Sequence, residues 1–228
     1  MEEEIRLSPS ALNLFNDCQR CFYLEKKLNL KRPRGIFPSL PGGMDNIIKK
    51  YYDKYRGTGD LPPDIRDKDI TGKLFPDQAQ MKKWRNWRAT DLKYVDEDRN
   101  AYLTGALDEC IVSEEGYIPT DYKTRGYPLK DLNDPKKYYQ TQMDCYELML
   151  ASSGYKTLGY SYLIYYHPTG INSEGLVQFE ITVIKMDTSW RSAKRIFGQA
   201  VDLLRQDDIP LENPECEYCK MEKERADI

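Results

Sequence analysis

Apolar positions along the chain recur first at helical spacing, then at strand spacing, and the two patterns alternate towards the C-terminus. Residues 7–30, LSPSALNLFNDCQRCFYLEKKLNL, predict a capped helix. Ser8 is placed to accept from first-turn amides, Pro9 suits the first helical position, and Leu12, Phe15 and Leu24 mark an apolar stripe. A loop with Pro33, Gly35, Pro38, Pro41 and the Gly42-Gly43 pair follows. Residues 44–56 then predict a helix with Ile47, Ile48, Tyr51 and Tyr55 inward, and residues 57–77 a Gly/Pro/Asp-rich connection.

Residues 77–95 predict a third helix. Residues 101–124 predict two strands joined by the turn Glu114-Glu115-Gly116, and residues 135–154 a helix closed by Gly154. Residues 157–168 and 176–186 predict strands around a Pro-Thr-Gly turn, and residues 189–208 a last long helix. Helices, hairpin, helix, hairpin, helix: this order predicts one α/β domain over residues 1–228, with a mixed sheet flanked by helices.

Composition changes this picture little. At 40% hydrophobic and 31% charged residues the chain is expected to fold, and it has no apolar run long enough to span a membrane. Its start, MEEEIRLSPS, is acidic where a secretory signal is basic and then apolar, so a cytoplasmic location is expected. The net charge of −3 gives no global basic field for a nucleic acid. Local basic runs at Lys26, Lys27, Lys31, Arg32 and Arg34 can still track a phosphate backbone. So can Lys82, Lys83, Arg85 and Arg88, where Trp84 and Trp87 offer stacking surfaces for bases or else fill the core.

The candidate chemistry is concentrated in a few short motifs. Asp121 and Lys123, two apart in a strand, project from one face, and the hairpin can bring Asp108 to the same end. Two converging carboxylates repel unless a cation lies between them, and oxygen ligands suit Mg²⁺ or Mn²⁺. Gln142 and Tyr146 stand one helical turn apart and share a face. Of six cysteines, Cys18 and Cys21 form one C-x-x-C pair and Cys216 and Cys219 another. Four thiolates in such pairs satisfy either tetrahedral Zn²⁺ or an iron–sulfur cubane, and spacing does not choose.

Taken in order, Gly105-Ala-Leu-Asp108, Asp121-Tyr-Lys123-Thr124 and Gln142-Met-Asp-Cys-Tyr146 resemble the PD-(D/E)XK nuclease superfamily, in its RecB-like branch. The opening SPSALNLFNDCQRCFYLEKKL is similar to the first helix of RecB-like nucleases. The resemblance implies a restriction-endonuclease-like core and a Mg²⁺- or Mn²⁺-dependent deoxyribonuclease acting on single-stranded DNA or DNA ends. It assigns Asp108, Asp121 and the Tyr122 carbonyl to the ion, Lys123 to the attacking water, and Gln142 and Tyr146 to the strand.

The cysteines resemble the iron–sulfur branch, with its AddB-type nuclease domains and CRISPR-associated exonucleases. There a [4Fe-4S] cluster joins the two ends of the chain, and CRISPR integration or recombination proteins are the implied partners. This chain departs from the pattern in placing two cysteines at each end. It also lacks the branch's helix histidine: Asp45 stands closest to that place, as a substitute oxygen ligand or a helix cap, and the single histidine, His167, reads as a strand-end residue. Loss of that histidine leaves open a non-catalytic DNA-binding or assembly module.

Overall fold

The computed structural model describes residues 3–33, 35 and 39–226; Arg34 of the first basic run and Pro38 of the predicted loop lie outside them. In chain order the elements are β1 (Ile5–Leu7), α1 (Pro9–Asp17), α2 (Gln19–Lys27), α3 (Ser39–Asp53), α4 (Pro63–Arg66), β2 (Lys73–Leu74), α5 (Gln78–Trp84) and β3 (Lys93–Asp96). Then follow β4 (Ala101–Thr104), β5 (Glu109–Val112), β6 (Tyr117–Thr124), α6 (Asp134–Ser152), β7 (Tyr160–Ile171), β8 (Val177–Asp187), α7 (Trp190–Arg205) and α8 (Glu217–Ala226).

The strands form two mixed sheets where one was expected: β1-β4-β3, and the larger β2-β5-β6-β7-β8. Strands β6 and β7 run parallel, with α6 as the crossover that parallel pairing requires. One apolar cluster packs α1, α2, α5, α6 and α7 together with residues of both sheets. A second packs Ile48 and Tyr52 of α3 and Ile65 of α4 against Ile118, Tyr122, Tyr162 and Ile164. Helices thus cover both faces of the main sheet, as a restriction-endonuclease-like core requires.

Several boundaries differ from the sequence expectation, each for a local reason. The first predicted helix breaks at Cys18, whose extended backbone caps α1 and whose Sγ accepts from the Cys21 amide at the start of α2. Ser8 caps α1 as expected, its Oγ accepting from Ala11 N. Helix α3 begins five residues before the predicted Met44, because Pro41 falls in the first turn, where a missing N–H leaves no bond unmade. Its buried residues are Ile48, as expected, and Tyr52, which was not; Ile47 is exposed.

The third predicted helix stops at Trp84. Beyond it Asn86 Oδ1 accepts from Arg88 N and Thr90 Oγ1 from Leu92 N, side-chain bonds that compete with helical ones. Residues 101–124 hold three strands rather than two. The chain leaves the small sheet at Gly105, where a Cβ would lie 2.8 Å from Pro9 Cδ, and Asp108 sits just before β5 rather than on a strand. Strands β7 and β8 run on through Pro168, and the chain turns instead at Asn172–Gly175, with Gly175 at φ 80°. His167 is therefore buried within β7, opposite Glu180, and not at a strand end.

Candidate functional site

Each acid reaches the site by a different backbone device. Asp108 ends the segment between the two sheets, Asp121 and Lys123 come from β6 with Tyr122 between them facing the other side, and Gln142 and Tyr146 come from one face of α6. Asp121 is fully buried, and Lys123 Nζ pairs with its Oδ2. The same ammonium donates to Gln142 Oε1 at 3.4 Å and lies 4.5 Å from the Tyr139 ring centre, and Gln142 Nε2 donates to the Tyr146 hydroxyl at 2.7 Å. The side chains expected to act together are thus linked to one another.

The structure adds one residue that sequence pattern did not supply. Lys49 of α3 bridges Asp45 Oδ2 and Asp108 Oδ1, each at 2.7 Å. A lysine four residues after an acid on a helix was the available signal, but it pointed only to Asp45. Asp45 itself lies inside α3 and is no helix cap, and it reaches the acid pair only through Lys49.

Electrostatics separate the two acids. Burial pushes the Asp121 carboxyl up to about 8, Lys123 opposing and the neighbouring Asp108 adding to the rise. Asp108 is also pushed up by burial, but Lys49 overrides it and holds the group below the usual carboxylate range. Burial lowers Lys49 and Lys123, yet their carboxylate partners leave both above the ordinary lysine value. Apart from the Lys123 ion pair at Oδ2, neither oxygen of Asp121 has a hydrogen-bond partner. A buried carboxylate so placed beside another acid is unstable on its own and fits a divalent cation held by Asp108 and Asp121.

The next residue, Glu109, faces a different environment. It is fully buried and accepts from Arg56 (2.9 and 2.6 Å), Arg85 (2.9 Å), the Tyr122 hydroxyl (2.8 Å) and its neighbour Cys110 N (2.9 Å). Arg85 also donates to the Asp108 carbonyl at 2.8 Å and to Asp53, tying this network to the site. Arg85 is therefore an internal ion-pair partner and not a free phosphate contact as expected. Trp84 is likewise core, stacked on Phe75 at 4.7 Å with Nε1 donating to Asp91, so it presents no face to a base.

Lys82 remains exposed on α5, whereas Lys83 pairs with Asp91. Trp87 is exposed, with the Arg88 and Arg6 guanidinium groups 4.8 and 5.9 Å from its ring centre. It borders a cavity of about 770 Å³ that Arg6, Ser8 and Lys26 line on one side and Gln142 and Tyr146 on the other. Lys26 belongs to the first basic run expected to meet phosphate, whereas Arg6, from β1, was not expected in this role.

At the far end of the molecule Cys18, Cys21, Cys216 and Cys219 form a buried quartet whose sulfurs all lie within 4.8 Å of one another. The Cys18–Cys219 and Cys21–Cys216 sulfurs are 3.7 Å apart. Thiolates around one tetrahedral ion at about 2.3 Å lie about 3.8 Å apart, whereas those around a four-iron cubane spread to roughly 6 Å. Arg32 donates to Cys216 Sγ at 3.3 Å while pairing with Asp17. Burial pushes the Cys216 thiol up, but the backbone amides of Cys219 and Tyr218 and the facing cysteines bring it down to about 7.

A family model of the PD-(D/E)XK nuclease superfamily matches residues 66–223, well over half of the chain. No curated protein matches it in sequence. The match takes in Asp108, Asp121, Lys123, Gln142 and Tyr146 as well as the C-terminal cysteines, and the chain belongs to this superfamily of metal-dependent nucleases.

Proposed function

We propose that this member of the PD-(D/E)XK nucleases hydrolyses DNA phosphodiesters at the Asp108–Asp121–Lys123 row, with single-stranded DNA or frayed ends as substrate. One observation carries the reading: a fully buried aspartate placed between a second acid and a half-buried lysine, with the Lys123 ion pair at Oδ2 and no partner at Oδ1. Asp108, Asp121 and the Tyr122 carbonyl would hold Mg²⁺ or Mn²⁺. Such an ion, when bound, polarises a phosphate oxygen and makes its water a better nucleophile near neutral pH. Lys123, whose ammonium Asp121 and Gln142 hold in place, orients the attacking water and offsets charge on the phosphate. Gln142 and Tyr146 position the strand.

The route to that row supports unpaired substrate. The cavity shared by exposed Trp87 and by Gln142, whose amide meets Lys123, offers a ring for one base, with Arg6 and Lys26 for phosphates. The four cysteines hold a structural ion that pins the two ends of the chain. Two sulfur pairs at 3.7 Å and all four sulfurs within 4.8 Å support a single Zn²⁺ over the cubane implied by resemblance, and a colourless protein with one equivalent of zinc and no absorbance at about 400 nm is the expected result. The resemblance to end-processing nucleases supports a place in CRISPR spacer acquisition or DNA repair, in the cytoplasm.

The test uses labelled single- and double-stranded DNA with Mn²⁺. The parent chain is expected to cleave, and Asp121→Asn and Lys123→Ala to bind without cleaving. Binding without cleavage by all three would overturn the enzyme and leave a DNA-binding module.

A further inference from the structure

The charged side chains of the site form a row in which sign alternates except at one step. Asp45, Lys49, Asp108, Asp121 and Lys123 read minus, plus, minus, minus, plus, with Lys49 2.7 Å from both of its acids and Lys123 paired to Asp121. The single like-charge step, Asp108 to Asp121, is also where a buried carboxylate oxygen, Asp121 Oδ1, has neither a hydrogen bond nor an ion pair, Oδ2 being taken by Lys123. Lys49 is mostly buried, and α3 packs against β6, so the ammonium is held between Asp45 and Asp108 by the fold. It occupies the position from which a second metal ion would bridge those two carboxylates.

Building on the nuclease reading above, we infer that Lys49 is a built-in cation standing in for a second metal ion, so that the site takes up one divalent ion, between Asp108 and Asp121. Charge balance leads to the same result. With Asp121 ionised, as a carboxylate that holds a cation must be, three carboxylates and two ammonium groups leave one net negative charge, which one divalent ion turns into one net positive charge. A second ion would leave three positive charges in a site of low dielectric. On this account Asp45 is the counter-charge that holds Lys49 and is not a ligand in place of the missing histidine.

The test counts Mn²⁺ by the electron paramagnetic resonance signal of free ion, with the cysteine site loaded, and takes the sites lost in Asp121→Asn as the site of interest. The parent is expected to bind one ion, and Lys49→Arg, which keeps the charge, to match it. Asp45→Asn should keep its affinity within threefold. Lys49→Gln should bind Mn²⁺ at least tenfold more tightly, or admit a second ion. Two Asp121-dependent ions in the parent, a tenfold weakening in Asp45→Asn, or an unchanged Lys49→Gln would each overturn the inference. A parent that binds one Mn²⁺ in this pattern yet cleaves no DNA would sink the nuclease reading alone.

Discussion

Asp108 and Glu109 are neighbours in the chain, yet they root two buried charge clusters of opposite character. Around Glu109 two arginines, a tyrosine hydroxyl and a backbone amide satisfy the carboxylate, and Asp53 completes the balance. Around Asp108 the alternation fails: Asp121 stands beside it buried, with Lys123 at Oδ2 but nothing at Oδ1, and is pushed towards its neutral form. A satisfied network of buried charge holds a fold in one arrangement, whereas an unsatisfied one stores a preference for something the protein alone does not provide. Adjacent residues on extended backbone point to opposite sides, so one short segment serves both ends. Arg85, which contacts Glu109 and the Asp108 carbonyl, transmits the rigidity of the first cluster to the second.

The largest expected effect falls on the unsatisfied cluster. Asp121→Asn should lower Mn²⁺-dependent DNA cleavage by at least about a thousandfold, measured as initial rates on labelled single strands, while the chain stays folded. The satisfied cluster should respond in stability instead. Arg56→Met removes one of the two arginines on Glu109 and leaves Arg85 as its remaining cation, which should cost about 3 kcal/mol in urea unfolding, and an equal loss of stability in Asp121→Asn would erase the contrast.

A pH dependence sharpens it further. Asp121 stays protonated in the folded, metal-free chain up to about pH 8 but ionises near pH 4 when unfolded. Its folded value is the raised one, so the stabilisation is complete below about pH 4 and is lost as pH climbs towards about 8. Urea midpoints without divalent ion should therefore fall between pH 5 and 8.5, and this fall should be smaller in Asp121→Asn, which is neutral throughout. The smallest effect lies at the mouth of the cavity. Trp87→Ala should weaken binding of a short oligothymidine by about tenfold in fluorescence anisotropy, whereas Trp190→Phe, outside the cavity, should not change it.

Much of the site was legible because its signals are local. Asp121 and Lys123 share a strand face, Gln142 and Tyr146 share a helix face, and the cysteines of each pair stand three positions apart, so periodicity alone puts these side chains together. Helix α7 and the long strands β6, β7 and β8 were legible for the same reason, whereas α8 and the short strands β1, β2 and β3 were not. Trp84 and Trp87 show the limit of such reasoning. Three apart, they share a face only while the helix lasts, and it ends at Trp84, which sends one ring into the core and the other to the surface. The 77–95 pattern carried the apolar spacing of a helix, but Asn86 and Thr90 offered the backbone other partners.

What the sequence determined by itself was the supply of chemistry: paired acids with a lysine, an amide and a phenol one turn apart, and two thiol pairs, each fixed by the geometry of a single element. The tertiary structure decided which of these charges meet. Lys49 lies 59 positions from Asp108 and Arg56 lies 53 from Glu109, and no local period relates them. Only the packing of α3 against the main sheet brings each cation to its acid, leaving Asp121 as the buried charge whose neighbours do not satisfy it.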